Sequence, residues 1–266
     1  MKILGILNVT TDSFSDGGKY LAADTALAHA EAMARDGADI IDIGAASSNP
    51  DSKAVSAETE IARLAAIVPA LREKNLPLSV DSFSTPVQRW ALAQGVAYLN
   101  DIHGFADPDL YPELAKSDCQ LIVMHMVQAR GVAVRTEVPP SEIRDRVTAF
   151  FDARIAALEN AGIARTRLIL DPGMGQFVGA DPENSWILLR HISDLKARYR
   201  LPVLISVSRK GFLRKLTGRP PAEAGAASLA AELFAEANGA DYIRTHAPAS
   251  LRDGIKVLKE IGKDWR

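Results

Sequence analysis

The stretch Leu168-Ile169-Leu170-Asp171-Pro172-Gly173-Met174-Gly175 carries the pattern that decides the fold. Three apolar residues run into a carboxylate, and a proline with two glycines follows at once. A short run that is apolar throughout, without alternation, suits a parallel strand buried on both faces. The proline and glycines after it let a backbone approach a ligand closely.

Seven more runs share this layout, over residues 3–8, 40–44, 78–81, 98–102, 121–125, 203–207 and 242–246. Amphipathic, helix-sized stretches separate them, among them residues 23–35, 57–73, 142–160 and 183–198. Gly37, Gly95 and Gly162 stand where helices end and suit left-handed C-terminal caps. Ser56 precedes Glu58 and Glu60 as an N-cap with acids in the first turn. Eight strands, each followed by a helix-sized segment, predict an α/β fold: a single (β/α)8 TIM barrel over residues 1–266. Its active site then lies at the C-terminal ends of the strands. An open doubly wound sheet is the competing topology, and periodicity alone does not separate the two.

The bulk properties fit. The chain has 266 residues, close to one barrel domain, with 47% hydrophobic and 24% charged residues. A net charge of -2 gives no basic balance for nucleic acid, so an anionic substrate must meet local charges. One cysteine, Cys119, precludes an intramolecular disulfide and reads as a semi-buried packing residue. The first apolar stretch is too short for a signal peptide, and no run approaches the roughly 20 apolar residues of a membrane span. The expectation is a cytoplasmic enzyme acting on small molecules, with no nucleic-acid or membrane partner.

What ends the strands is the informative pattern. They finish in Asn8, Asp42, Asp81, Asn100-Asp101, His125, Asp171, Ser208-Arg209-Lys210 and Arg244-Thr245-His246. Helix capping explains one such residue but not eight converging on one rim; buried charges need partners, and a polar ligand is the natural one. Arg244 and His246 are two apart on one strand, so they point to one side and together fit a phosphate or pyrophosphate. The competing role for Arg244 is an ion pair with a barrel acid such as Asp42. The hydroxyl-rich first loop, Asn8-Val9-Thr10-Thr11-Asp12-Ser13-Phe14-Ser15-Asp16-Gly17-Gly18, offers donors that close over an anion, and Asn8 offers an oxygen to Mg2+.

Asp81, Asn100, Asp171 and Lys210 form a second group. A carboxylate accepts two parallel N–H bonds from an aminopyrimidine edge, and an asparagine donates and accepts along it. Lys210 donates to a ring atom, stabilises charge, or serves as a Schiff-base nucleophile; the residues leave that open. His125 is as suited to a structural hydrogen bond as to the site. Zinc-type ligand spacing, a nucleophile elbow and a Walker loop are absent from the sequence.

Taken together, these residues resemble the dihydropteroate synthases over essentially the whole chain. The most specific pieces are residues 7–18, Asp171-Pro172-Gly173-Met174-Gly175, Ser208-Arg209-Lys210 and Arg244-Thr245-His246. The resemblance implies condensation of 6-hydroxymethyl-7,8-dihydropterin pyrophosphate with p-aminobenzoate to give 7,8-dihydropteroate and pyrophosphate. It implies a pterin site of Asp81, Asn100, Met124, Asp171 and Lys210. A pyrophosphate site of Asn8, Ser48, Arg244 and His246 goes with it, with Mg2+ on Asn8. Thr11, Ser48, Asn49, Ser208 and Lys210 would meet p-aminobenzoate; Lys210, Arg244 and Asp81 would be the catalytic set. A homodimer is implied as well, with residues 222–238 and 250–261 as its face.

One segment departs from the family. Where Gly-Glu-Ser-Thr-Arg-Pro-Gly is usual, this chain reads Ala45-Ala46-Ser47-Ser48-Asn49-Pro50-Asp51. Ser48 keeps the hydroxyl, while Asn49 removes a cation on the p-aminobenzoate side. That form looks like the mobile, sulfonamide-insensitive branch, with a close chromosomal relative as the alternative, and implies altered discrimination against sulfonamides. The competing functions are a pterin-dependent methyltransferase, a Schiff-base aldolase using Lys210, and a barrel that only binds pterin or sulfonamide. A pyrophosphate clamp at Arg244-Thr245-His246 serves none of them.

Overall fold

In the computed structural model, residues 1–9, 19–47, 55–128 and 136–262 are described. The apolar runs form β1 (Lys2–Asn8), β2 (Ile40–Gly44), β3 (Leu78–Asp81), β4 (Tyr98–Asp101), β5 (Gln120–Met124), β6 (Leu168–Asp171), β7 (Leu204–Ile205) and β8 (Tyr242–Thr245). All paired neighbours are parallel, in the order β6-β5-β4-β3-β2-β1-β8-β7. A parallel bridge from Leu170 to Val203 joins the two ends. The sheet therefore curls into a nearly closed barrel, and the open-sheet alternative falls away.

Helices lie between the strands: α1 (Lys19–Arg35), α2 (Ala57–Ala65), α3 (Val68–Glu73), α4 (Thr85–Ala93), α5 (Tyr111–Lys116), α6 (Ile143–Asn160), α7 (Pro182–Arg190), α8 (Ile192–Tyr199), α9 (Gly211–Thr217), α10 (Gly225–Ala237) and α11 (Pro248–Ile261). Ser56 caps α2 by accepting the Thr59 N–H at 3.3 Å. Gly37, Gly95 and Gly162 take positive φ of 100°, 67° and 83°, as left-handed turns after helices require.

The two-residue period of the strands sorts their side chains into two cores. One parity faces the helices: Ile41, Ile43, Val80, Leu121, Val123 and Leu170 belong to the large cluster that the helices cover. The other faces inward, where Leu4, Ile40, Tyr98, Ile122, Ile169 and Leu204 form a separate apolar plug. Six strands give one residue each, which is the layered filling of a closed barrel.

Several element bounds differ from expectation. The helix expected over 57–73 breaks at Ile67, because Pro69 has no N–H and opens α3 instead of continuing α2. The helix over 183–198 breaks at His191. There Nδ1 of the ring lies 2.7 Å from the Ile187 carbonyl, the group that the backbone N–H would take in a continuous helix. In the run 203–207, Val203 bridges Leu170 and only Leu204 and Ile205 pair with β8; beyond them the chain turns through Arg209, whose φ is 58°.

Candidate active site

Two residues beyond the apolar plug, the same inward parity turns polar. Asp42, Asp81, Asn100, Asp171, Ser206 and Arg244 sit one step above it, with Ile6 and Met124 among them. Asn8, Ser208 and His246 come next. A cleft of about 1260 Å³ opens over this layer, lined among others by Asn8, Asp81, Ser208, Lys210, Arg244 and His246.

Arg244 is the pivot. Its Nε donates to Asp42 at 2.5 Å and one terminal nitrogen donates to Asp81 at 2.7 Å. The ion pair with Asp42 thus forms, and it leaves guanidinium hydrogens at the other terminal nitrogen for an anion in the cleft. The guanidinium is only 15% exposed; the two carboxylates raise its pKa although burial opposes them. Asp81 is pushed up to about 7, chiefly by burial and further by Asp42, against the pull of Arg244. Asp81 therefore belongs to both groups of residues separated in the sequence.

Lys210 follows the left-handed Arg209, whose N–H is fixed by Ser228 Oγ at 2.9 Å. Its ammonium sits 4.5 Å from the centre of the Phe177 ring. Burial, with the charge of Arg244, lowers it to about 8, while Asp171 and Asp81 hold it up. Asp171 is pushed up to about 6 by burial, with the Gly173 N–H donating to its Oδ1 at 2.8 Å. Gly173 has no substitute: its φ is 75°, and a Cβ would lie 2.4 Å from the His125 carbonyl oxygen.

Asn100 is 3% exposed, and its Oδ1 has no partner among the described residues; the same holds for Oδ1 of Asp42. A buried polar atom left unpaired costs about 1–3 kcal/mol, so these atoms await a donor. Ile102, Met124, Met126 and Phe177 cluster beside them with Phe83, giving an apolar wall next to a hydrogen-bonding edge. Two partly buried cations, Arg244 and Lys210, face two buried carboxylates, Asp42 and Asp171, and the partly buried Asp81.

His246 holds its Nδ1 3.0 Å from Ser208 Oγ, and the same oxygen accepts its backbone N–H at 3.2 Å. Burial, then Arg209, Arg244 and Lys210, lower it to about 4. His125 takes the structural role: Nδ1 meets the Pro172 carbonyl at 3.0 Å, and burial lowers it to about 4. Asp101 faces the helix side and accepts the N–H groups of His103 and Phe105 at 2.8 and 2.9 Å. Buried Cys119, pushed up to about 12, is a packing residue. Thr11, Ser48 and Asn49 lie outside the described residues, as does most of the first loop.

Some participants escaped the sequence. Ser206 lines the cleft, as does Arg214, whose Nε has no partner among the described residues. Glu232 is buried behind Ser208. For Glu232 a signal existed: Ser228, Ala231, Glu232 and Ala235 share the helical spacing of one face, so the acid stands on the buried side of α10.

Fold and site together define a barrel enzyme of the pterin-binding class, and the family described as pterin binding enzyme matches residues 4–246. The Escherichia coli dihydropteroate synthase type-2 is 59% identical over 264 residues, covering 99% of this chain and 97% of the relative. The E. coli type-3 enzyme is 49% identical, covering 98% and 99%. The Xanthomonas albilineans dihydropteroate synthase solved with 4-aminobenzoic acid superposes with a TM-score of 0.87 at 36% identity, covering 99% of this chain and 94% of that one. The chain belongs to the dihydropteroate synthases, transferases of folate synthesis, and resembles their numbered types.

Proposed function

We propose that the chain joins 6-hydroxymethyl-7,8-dihydropterin pyrophosphate to p-aminobenzoate, forming 7,8-dihydropteroate and releasing pyrophosphate. The observation that carries this is the contact of Arg244 with Asp81, which binds an anion clamp to a ring-reading edge. The pterin lies along Asp81, Asn100 and Asp171, with Lys210 on a ring atom and the Met124–Phe177 wall against its face. The orphaned Asn100 Oδ1 then gains an N–H donor. Asn8, Arg244 and His246, with Ser48, hold the pyrophosphate.

The donors present fit a magnesium ion held mainly by phosphate. Asn8 brings an amide oxygen to the cleft, and among the described residues no three acidic, histidine or cysteine side chains cluster as ligands. When bound, Mg2+ neutralises charge building on the leaving pyrophosphate. Arg244 adds donors there, which lowers the cost of breaking the pterin C–O bond. The nearby carboxyl groups of Asp81 and Asp171 offset positive charge spread into the pterin ring. The p-aminobenzoate amine then attacks carbon, positioned beside Ser208, Thr11 and Asn49, with its carboxylate toward the outer cations Arg209, Arg214, Lys215 and Arg219. No covalent enzyme intermediate is needed.

The same reading makes the enzyme a cytoplasmic homodimer. Phe234 on α10 with Val257, Leu258 and Ile261 on α11 are exposed apolar residues on two contacting helices, which supports a dimer face. Asn49 in place of arginine supports reduced sulfonamide sensitivity. Pyrophosphate release, measured with both substrates, Mg2+ and a sulfonamide, tests all of the chemistry. Release requiring both substrates is expected, continuing at sulfonamide levels well above those of p-aminobenzoate. Pterin binding without release refutes the synthase reading; tight competitive inhibition by the sulfonamide refutes the resistance reading alone.

A further inference from the structure

Helix α2 carries charge where a barrel helix normally carries apolar side chains. Its buried residues are Glu60, Arg63 and Leu64, one stripe at helical spacing, with Glu60 4% and Arg63 7% exposed. Burying charge gives a helix little stability that apolar packing would not; its best-attested use is to fix register. Each of these two charges holds a residue just past the end of a strand.

Arg63 acts at the end of β2. The β1–β2 register closes on Asn8 and Gly44, and the β2–β3 register on Gly44 and Asp81. Ala45 is the first residue beyond both registers, and there a side chain holds the backbone. Nη1 of Arg63 donates to the Ala45 carbonyl oxygen at 2.6 Å, with both residues buried. The next two residues, Ala46 and Ser47, line the cleft.

Glu60 acts one strand over. Its Oε2 accepts the Ser82 hydroxyl at 2.9 Å, and Ser82 directly follows Asp81. Ser82 is itself fixed: its N–H donates to the Asn100 carbonyl at 3.0 Å, and its own carbonyl accepts Nε2 of Gln88 at 2.8 Å. Glu60 therefore locks α2 to the ends of β3 and β4, where Asp81 and Asn100 stand on the rim. Arg63, one turn later on the same face, carries that position across to Ala45. The chain that leaves at Ala45 returns to α2 at Ser56, the cap of the helix.

We propose that Arg63 is a positioning residue for the amine substrate: through the Ala45 carbonyl it sets where Ala46 and Ser47 enter the cleft wall, in the frame that Glu60 fixes on the rim. The inference rests on the reading above that p-aminobenzoate is met on this side, where Asn49 follows in the sequence. The bond from Ser82 to Glu60 does not involve Arg63, so the ends of β3 and β4 keep their places when Arg63 is changed. The pterin edge is built on those two strands and β6, so loss of the Arg63 bond falls on one substrate and spares the other.

Steady-state pyrophosphate release by the full-length protein, with each substrate varied while the other saturates, separates the two sides of the site. Arg63→Met keeps a long apolar stem and loses the donors. Its KM for p-aminobenzoate should rise about 10-fold, the scale of one lost positioning hydrogen bond, while its KM for the pterin pyrophosphate stays within about 2-fold. Arg63→Lys keeps one charged donor on a shorter stem, so the same KM should rise by a smaller factor; this variant carries the test where Arg63→Met does not fold. Leu64→Ala, on the same helix face, loses buried packing without touching Ala45. It should lower stability and leave both KM values in place. A p-aminobenzoate KM at the wild-type value in the folded Arg63 variants overturns the positioning role. So does an equal rise in both KM values, or the same p-aminobenzoate rise in Leu64→Ala. Wild-type protein that releases no pyrophosphate from the two substrates refutes the synthase reading instead.

Discussion

The floor and the rim of the barrel are two residues apart on the same strands, yet they are built for opposite ends. Ile40 lies below Asp42, Tyr98 below Asn100, Ile122 below Met124, Ile169 below Asp171, and Leu204 below Ser206. The floor is a sealed apolar plug in which every member is at most 6% exposed. The rim holds charges, some with unpaired oxygens, at an energetic cost that a ligand can offset. One strand length therefore supplies both the stability of the fold and the strain of the site, and the step between them is a single period of the pleat.

Removing the pivot of the rim gives the largest expected effect. Arg244→Ala leaves Asp42 and Asp81 buried without their cation, and breaking such a pair costs about 3–5 kcal/mol. Turnover should fall by at least about 10²–10³-fold, because the same guanidinium stabilises the leaving group. Chemical unfolding and steady-state kinetics on one preparation check both. A variant that stays as stable as the parent breaks the view of Asp42 as a partner needing charge.

On the floor the two readouts should separate. Ile122→Ala empties part of a fully buried plug and should cost about 2–5 kcal/mol of stability. Its kcat and KM for either substrate should change little where the protein remains folded. A drop in kcat at unchanged stability would mean that floor packing positions the rim, and the contrast between the layers would lose its force.

How much of this was legible follows from what each residue depends on. The strands were readable because an apolar run buried on both faces depends only on its own composition; their order was not, since periodicity left an open sheet as the alternative. Asp81, Asn100 and Asp171 were readable because a polar residue ending such a run is anomalous by itself. The grip of Asp42 on Arg244 was legible only as the competing role, since it joins residues 202 apart in sequence and phosphate was the favoured partner. Glu232 stayed hidden for a different reason: an acid on a helix reads as solvated until the opposite face is known to be outside. The break at His191 depends on one ring capturing a carbonyl, which no periodicity records.

Behind the rim, on the inner face of α10, stands a titrating group whose effect on stability has a definite sign. Glu232 is raised from 4.5 to about 7, so the folded protein keeps a proton that the unfolded chain has lost. The stability it contributes is complete below about pH 4.5 and is lost as pH rises through about 7. A shift of this size corresponds to at most about 3 kcal/mol. Glu232→Gln should remove that slope, so that the variant gains on the wild type as pH rises from 5 to 8. Unfolding curves at several pH values test this; parallel pH dependences would mean that Glu232 is ionised in the folded protein throughout.

The last of these effects is the most local. Gly173 takes a left-handed φ of 75°, directly after the rim residue Asp171 and its proline. An alanine there carries about 1–2 kcal/mol of backbone strain. Its methyl group would also meet the His125 carbonyl at 2.4 Å, a backbone atom that cannot swing aside. Relief requires the loop to lift, which withdraws the Gly173 N–H from Asp171 Oδ1. Asp171 then loses a donor that opposes its raised pKa, so its carboxyl should move further above about 6. Gly173→Ala should therefore cost more stability than the backbone strain alone while weakening pterin binding and raising the acid limb of the pH–rate profile. If the pH profile stays fixed while stability falls, the loop serves only the fold, and the rim begins one residue earlier than the geometry indicates.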